Sequence, residues 1–227
     1  MKLFLCGGGS GEKTNKAYKK FYEMIDHNKP LLYVPLALEE YSYDNCLKWI
    51  TNELSSIGIT NIEMVRTFKE LANKDYFNYS AIFIGGGNTF RLLKGFKDSG
   101  AFDKINEYIN NDGVVYGGSA GAIIFGYDIN NCLIMDDNEV NLKDTKGFNV
   151  LDGKSLCAHY TNEDSFETHE KFKQYLIDYS LSKENVIALP EEDTIFINDD
   201  SKTIIGYKHY YEFENGIEIE KRIYEKK

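Results

Sequence analysis

The segment Gly117-Gly118-Ser119-Ala120-Gly121-Ala122 sets one hydroxyl among small residues, after the apolar run 114–116 and before the apolar run 122–125. This is the G-x-S-x-G pattern of a nucleophile elbow in the context it requires, a strand feeding a sharp turn into a helix. A serine held on such a turn lifts its Oγ above the sheet, and the flanking glycines avoid clashes that any Cβ would make. The amides that open the following helix are oriented to receive negative charge. The implied chemistry is attack on a carbonyl carbon by Ser119. The plain alternative is a glycine-rich turn with an incidental serine; the strand before it and the apolar stretch after it favour the elbow.

A second glycine run, Gly85-Gly86-Gly87-Asn88-Thr89-Phe90, follows the apolar segment 81–84. Three glycines let the backbone approach a ligand closely and turn its N–H groups inward. The N–H of Gly86 or Gly87, together with that of Ala120, would form an oxyanion hole, with Asn88 and Thr89 beside the substrate. Taken alone, the run is equally a phosphate-binding loop or a tight turn.

Other apparent motifs fail on chemistry. Residues 7–14, Gly7-Gly8-Gly9-Ser10-Gly11-Glu12-Lys13-Thr14, approximate a P-loop, but Glu12 stands where glycine is required before the lysine and would repel phosphate. The same glycines miss the dinucleotide fingerprint. They are better placed lining the functional end of the first strand. His169-Glu170 lacks the second histidine of H-E-x-x-H, and the four cysteines match no zinc spacing. No metal and no cofactor is called for. His27 follows a helix end, where a cation suits the helix dipole, and His209 among C-terminal tyrosines reads as structural.

Four segments in order carry a resemblance: Gly85-Gly86-Gly87-Asn88-Thr89-Phe90, Gly118-Ser119-Ala120-Gly121-Ala122, His159-Tyr160-Thr161-Asn162 and Leu189-Pro190-Glu191. Together they resemble peptidase family S51, which holds aspartyl dipeptidases and cyanophycinases, over most of the chain from the first strand to about residue 197. The resemblance implies a fold like the class I glutamine amidotransferases, with serine at the elbow, and a triad of Ser119, His159 and Glu191. His159 would serve as general base and then as acid to the leaving amine, with Glu191 fixing its tautomer. Glu192 and Asp193 are alternative third members, and Asp136 or Asp137 weaker ones. At the position resembling the arginine that selects an acidic N-terminal residue, this chain has His169, which puts acidic specificity in question. Arg91 is a compensating cation, or simply a solvated helix residue.

The elements that must position these groups read as strands joined by crossover helices. Strands are predicted over 2–6, 31–34, 61–65, 81–84 and 114–116, and helices over 14–26, 42–57, 88–94 and 101–111. Residues 128–152 read as irregular, 155–158 as a strand leading to His159, and 165–181 as a helix. Several strands follow residue 186, with a hairpin at Asn215-Gly216, a dipeptide that tolerates the positive φ of a tight turn. The expected fold is a three-layer αβα sandwich with a mostly parallel central sheet and an antiparallel C-terminal edge, formed by the 227 residues as one domain.

Composition bounds the partners. Against 36 acidic residues stand 26 basic ones, a net charge of −10 that disfavours nucleic acid; the C-terminal Lys221, Arg222, Lys226 and Lys227 are interrupted by Glu225. No apolar run approaches the ~18 residues of a membrane span. Residues 1–6 superficially resemble a lipoprotein signal but are too short for one. Scattered cysteines point to the reducing cytoplasm. The expected partner is a small peptide substrate, with a homodimer as the candidate assembly. The function read from these residues is hydrolysis of short peptides through an acyl-enzyme on Ser119, with an acidic N-terminal residue one candidate preference. Alternatives are a cyanophycinase-like or small-molecule amidase, or a silent binding protein of the same fold, which the intact serine, histidine and carboxylate disfavour.

Overall fold

The structure, a computed structural model, describes residues 1–163 and 165–222; Glu225, Lys226 and Lys227 of the basic C-terminal cluster lie outside them. Alternation along β1 (Lys2–Cys6) sets the layers. Leu3 and Leu5 point into one core, Phe4 and Cys6 into another, because successive strand side chains face opposite sides of a sheet. The neighbouring strands β4 (Ala81–Ile84) and β5 (Val114–Gly118) alternate the same way. Buried on both faces, these strands are continuously apolar, as parallel sheets require.

β1 pairs in parallel with β5, β5 with β4, β4 with β2 (Leu31–Val34), and β2 with β3 (Ile62–Met64). On its other side β1 pairs antiparallel with β8 (Thr194–Asn198), and β8 with β9 (Ser201–Ile205), giving the order β3-β2-β4-β5-β1-β8-β9. Helices α1 (Asn15–Met24) and α2 (Tyr43–Ser55) cover the face bearing Phe4. Helices α4 (Thr89–Ser99) and α5 (Ala101–Asn110), with the short α6 (Ala120–Ile123), cover the face bearing Leu3. Each Leu, Ile or Phe sealed between these layers contributes ~1.5–3 kcal/mol of hydrophobic burial. This is the expected three-layer arrangement with a parallel centre and an antiparallel edge.

Two features depart from the sequence reading. Helix α3 (Phe68–Asn73), absent from it, starts at Thr67, whose side chain accepts from the Glu70 N–H while the Glu70 carboxylate accepts from the Arg66 N–H. The larger departure is a second sheet of order β11-β10-β7-β6, built from β6 (Ser155–Cys157), β7 (Val186–Ala188), β10 (Tyr210–Glu214) and β11 (Ile217–Lys221). Only β8 and β9 of the C-terminal strands join the main sheet. The second sheet packs on α7 (Phe166–Ser182) around its own core of Tyr160, Phe172, Leu176, Val186 and Phe213. The β10–β11 turn is the expected one, with Asn215 at φ 51° and Gly216 at φ 80°.

Candidate active site

Register brings the chemistry to one edge. Cys6 lies opposite Gly118, and Ile84 opposite Gly117, so the turns leaving β1, β4 and β5 emerge side by side at the carboxyl ends of parallel strands. In the second sheet β6 and β7 run parallel with Cys157 opposite Ala188. Their carboxyl ends deliver the segments carrying His159 and Glu191 to the same place.

Ser119 sits at φ 51°, ψ −116°, a conformation seldom adopted by a residue with a Cβ. Packing holds it there. A Cβ on Gly121 would lie 2.2 Å from the Ile84 carbonyl oxygen, so only glycine lets the turn close against β4. The N–H of Ala122 and of Ile123 both donate to the Ser119 carbonyl, at 2.8 and 2.9 Å. No backbone carbonyl among the described residues accepts from the N–H of Ala120, Gly86 or Gly87. The ideal Cβ position on Gly86 lies 3.1 Å from the Ser119 Cβ, which brings the two glycine-rich turns into contact.

Ser119 Oγ lies 2.8 Å from His159 Nε2, and His159 Nδ1 lies 3.0 Å from Glu191 Oε1. The second Glu191 oxygen takes the Lys13 ammonium. Burial acts against the Glu191 carboxylate, but the bonds from Lys13 and His159 outweigh it and hold the group below the usual carboxylate range. The Glu191 N–H donates to Asn162 Oδ1 at 2.8 Å. The turn after β1 clasps both partners: the His159 N–H donates to the Gly7 carbonyl at 2.9 Å, and the Gly9 N–H to the Glu191 carbonyl at 3.1 Å. Gly8, at φ 109°, passes so close to the imidazole that a Cβ would fall 2.2 Å from His159 Cε1.

Of the other carboxylates weighed for the third position, Glu192, Asp193 and Asp136 are engaged elsewhere. Glu192 meets Lys208 at 3.3 Å and Asn162 at 3.4 Å. Asp193 is buried and accepts from the N–H groups of Tyr207 and Lys208; burial, only partly offset by those bonds, pushes its carboxyl up to about 6. Asp136 accepts from the Thr89 N–H and hydroxyl, at 2.9 and 2.6 Å, and Asp137 offers its carbonyl to Asn88.

Two cavities open on Ser119 and His159. One, of about 510 Å³, runs between the sheet and α2 and includes Tyr33, Trp49 and Gly86 in its walls. The other, of about 740 Å³, lies toward α7 and includes Met135, Glu163 and Lys171. Asn88, Thr89, Arg91 and His169 line neither. Asn88 caps α4 by accepting from the Arg91 N–H, Thr89 is fully buried, and the Arg91 guanidinium pairs with Glu39. His169 Nδ1 lies 3.0 Å from Glu163 Oε2, so the imidazole faces a carboxylate of the second cavity rather than the cavity itself. Lys13 and Trp49 are neighbours that the sequence did not single out, and Asn162 stood only as the end of the His159 segment, with no role attached. The signal for Lys13 was available, a lysine just beyond the glycine turn of β1.

The comparisons agree with this architecture. Residues 3–205 match Peptidase family S51. Peptidase E of Haemophilus influenzae (strain Rd) is 31% identical over 192 residues, covering 81% of this chain and 83% of that protein. Peptidase E of Actinobacillus pleuropneumoniae serotype 5b is 26% identical over 203 residues, covering 85% and 81%. A solved structure described as a peptidase E protein from Listeria monocytogenes EGD-e superposes with a TM-score of 0.71 at 24% identity, covering 91% of this chain and 98% of that one, and so shares the fold. With the match spanning nearly the whole chain, the protein belongs to peptidase family S51 and is a serine-type peptidase.

Proposed function

We propose that the protein hydrolyses short peptides through an acyl-enzyme on Ser119, with His159 as general base and Glu191 as its orienting carboxylate. The observation that carries this reading is the continuous Ser119–His159–Glu191 contact at 2.8 and 3.0 Å. A neutral imidazole with its proton on Nδ1, held by Glu191, presents a lone pair at Nε2 to the serine hydroxyl. As Oγ bonds to the carbonyl carbon, the proton passes to Nε2 and negative charge collects on the carbonyl oxygen. The N–H of Ala120 and that of Gly86 or Gly87 are the donors for that charge. The imidazolium then protonates the departing amine, and water repeats the sequence to release the acid. Charge stays on Glu191 throughout, stabilised by Lys13.

An acidic side chain finds little to select it. Position 169 is a histidine turned toward Glu163, Arg91 is paired with Glu39, and Lys171 of the second cavity pairs with Glu167. Substrates with neutral residues flanking the scissile bond are therefore favoured. A cytoplasmic location fits the four free cysteines.

The test is labelling by a serine-directed phosphonate alongside turnover of an X-Leu dipeptide panel. Wild type should be labelled at Ser119 and should hydrolyse the panel, and Ser119→Ala should do neither. Undiminished hydrolysis by Ser119→Ala overturns the assignment.

A further inference from the structure

The cavity between the sheet and α2 has a composition that acyl transfer alone does not require. Its walls carry the rings of Tyr18, Tyr33, Trp49, Phe83 and Tyr116, contributed by α1, β2, α2, β4 and β5. Ser42 and Asn45 add only neutral dipoles. Among the described residues lining it, no Asp, Glu, Lys or Arg appears, and its one imidazole is His159 at the catalytic end. Burial pushes the phenols of Tyr18, Tyr33 and Tyr116 up, so they remain uncharged. The second cavity contrasts with it: Asp136, Glu163 and Lys171 give that side both signs of charge.

We propose that the aromatic cavity is a specificity pocket for an uncharged aromatic side chain of the peptide, at the residue flanking the scissile bond. The proposal rests on the serine-peptidase reading of Ser119, whose Oγ opens onto the pocket. A carboxylate or ammonium entering it would leave water with no counter-charge to meet it. A ring replaces water against the exposed indole of Trp49 and meets the edges of the otherwise buried Tyr18, Tyr33, Phe83 and Tyr116 rings where they reach the cavity wall. A volume of about 510 Å³ is large enough for any natural aromatic side chain and lies within the range of small-ligand sites. Gly85, Gly86 and Gly87 line the same cavity, so the backbone that carries the oxyanion donors also borders the side chain. The charged ends of a short peptide are left to the second cavity and to solvent.

Trp49 is the sole tryptophan of the chain, 39% exposed on α2, and so reports occupancy directly. Two dipeptide series, Phe-Ala, Glu-Ala and Ala-Ala, and Ala-Phe, Ala-Glu and Ala-Ala, are compared with wild type, Ser119→Ala and Trp49→Ala. In parallel, N-acetyl-phenylalaninamide and N-acetyl-glutamic acid amide are titrated into Ser119→Ala while Trp49 emission is followed. We expect kcat/KM for the phenylalanine member of one series to exceed its glutamate and alanine counterparts at least tenfold. Trp49→Ala should remove most of that margin, read within the variant as the ratio of phenylalanine to alanine kcat/KM. The aromatic amide alone should change Trp49 emission saturably. Turnover that depends on Ser119 but is indifferent to the aromatic ring, or prefers glutamate, overturns the pocket and spares the peptidase reading. Absence of turnover of every peptide strikes the peptidase reading instead, and the titration then decides on the pocket: no saturable change with the aromatic amide overturns it.

Discussion

Glu191→Gln is the substitution whose consequence the geometry fixes most tightly. The two Glu191 oxygens have different partners, Oε1 facing His159 Nδ1 and Oε2 facing the Lys13 ammonium. An amide in the same place has one acceptor and one donor end. Lys13 is a donor only, so it draws the amide oxygen and leaves the NH₂ pointing at His159. Nδ1 must then be the acceptor, the ring proton moves to Nε2, and Ser119 loses its base. Misassigning the tautomer in this way is expected to cost about 10³–10⁴ in kcat, or roughly 4–5.5 kcal/mol of transition-state stabilisation. Adding Lys13→Met removes the group that fixes the flip. A charge-assisted hydrogen bond is worth roughly 1.5–3 kcal/mol, and the half-exposed lysine belongs at or below the lower end. The amide should therefore be freed to turn its oxygen to His159, and the double variant should recover about tenfold over Glu191→Gln alone. Lys13→Met by itself should cost less than about tenfold. The assay is single-turnover acylation by a short peptide ester or amide, with the imidazole tautomer read by nitrogen NMR. The reasoning fails if Glu191→Gln stays within tenfold of wild type, or if the double variant is no better than the single one.

Further outcomes follow from the same neighbourhood. Gly8→Ala should lower kcat/KM by about 100-fold, because its Cβ would collide with His159 Cε1 at a backbone φ of 109°, and far-ultraviolet circular dichroism should show the fold retained. The buried Asp193 has a carboxyl raised from 3.8 to about 6 in the folded chain, so folding is favoured by its protonated form. Its contribution is full below about pH 4 and is lost as pH rises through 6, a swing of roughly 2–3 kcal/mol. Urea titrations should thus show wild-type stability declining against Asp193→Asn between pH 4 and 7; a constant difference would refute the assignment. Arg91→Ala should leave kcat/KM for every dipeptide within about twofold, since its guanidinium pairs with Glu39 and lines neither cavity; selective loss of acidic substrates would reinstate it as a specificity residue.

The centre of the main sheet was legible because strands such as β2 and β4 are buried on both faces, and an unbroken run such as Ala81–Ile84 can be little else once glycines close it. The elbow was legible for a related reason: the glycines around Ser119 are dictated by backbone approach, which leaves a mark in sequence. The second sheet left its strands and its Asn215-Gly216 hairpin in the sequence, but not its separateness. β6 and β7 are three residues long, and nothing in Ser155–Cys157 or Val186–Ala188 says which sheet each will join, since partner choice depends on contacts made elsewhere. Helix α3 is too short for periodicity, although Thr67 and Glu70 three residues apart are a capping-box signature. The approach of His159 and Glu191 to Ser119 came from likeness to a family and not from spacing, for they lie 40 and then 32 residues further along. The role of Lys13 is not legible in its motif, because a lysine after a glycine-rich turn reads first as a phosphate ligand. The same lysine binds a carboxylate of the chain itself.

The division of the site between two sheets has a consequence for how the site assembles and comes apart. Ser119 belongs to strands that can pair once residue 118 has been made, except for the edge supplied by β8 and β9. His159 and Glu191 hang from the second sheet, whose strands β10 and β11, Tyr210–Glu214 and Ile217–Lys221, lie far beyond Ser119 along the chain. The contact of Ser119 with His159 therefore bridges two separately built sheets, and loosening one from the other parts the serine from the imidazole while leaving the elbow itself intact.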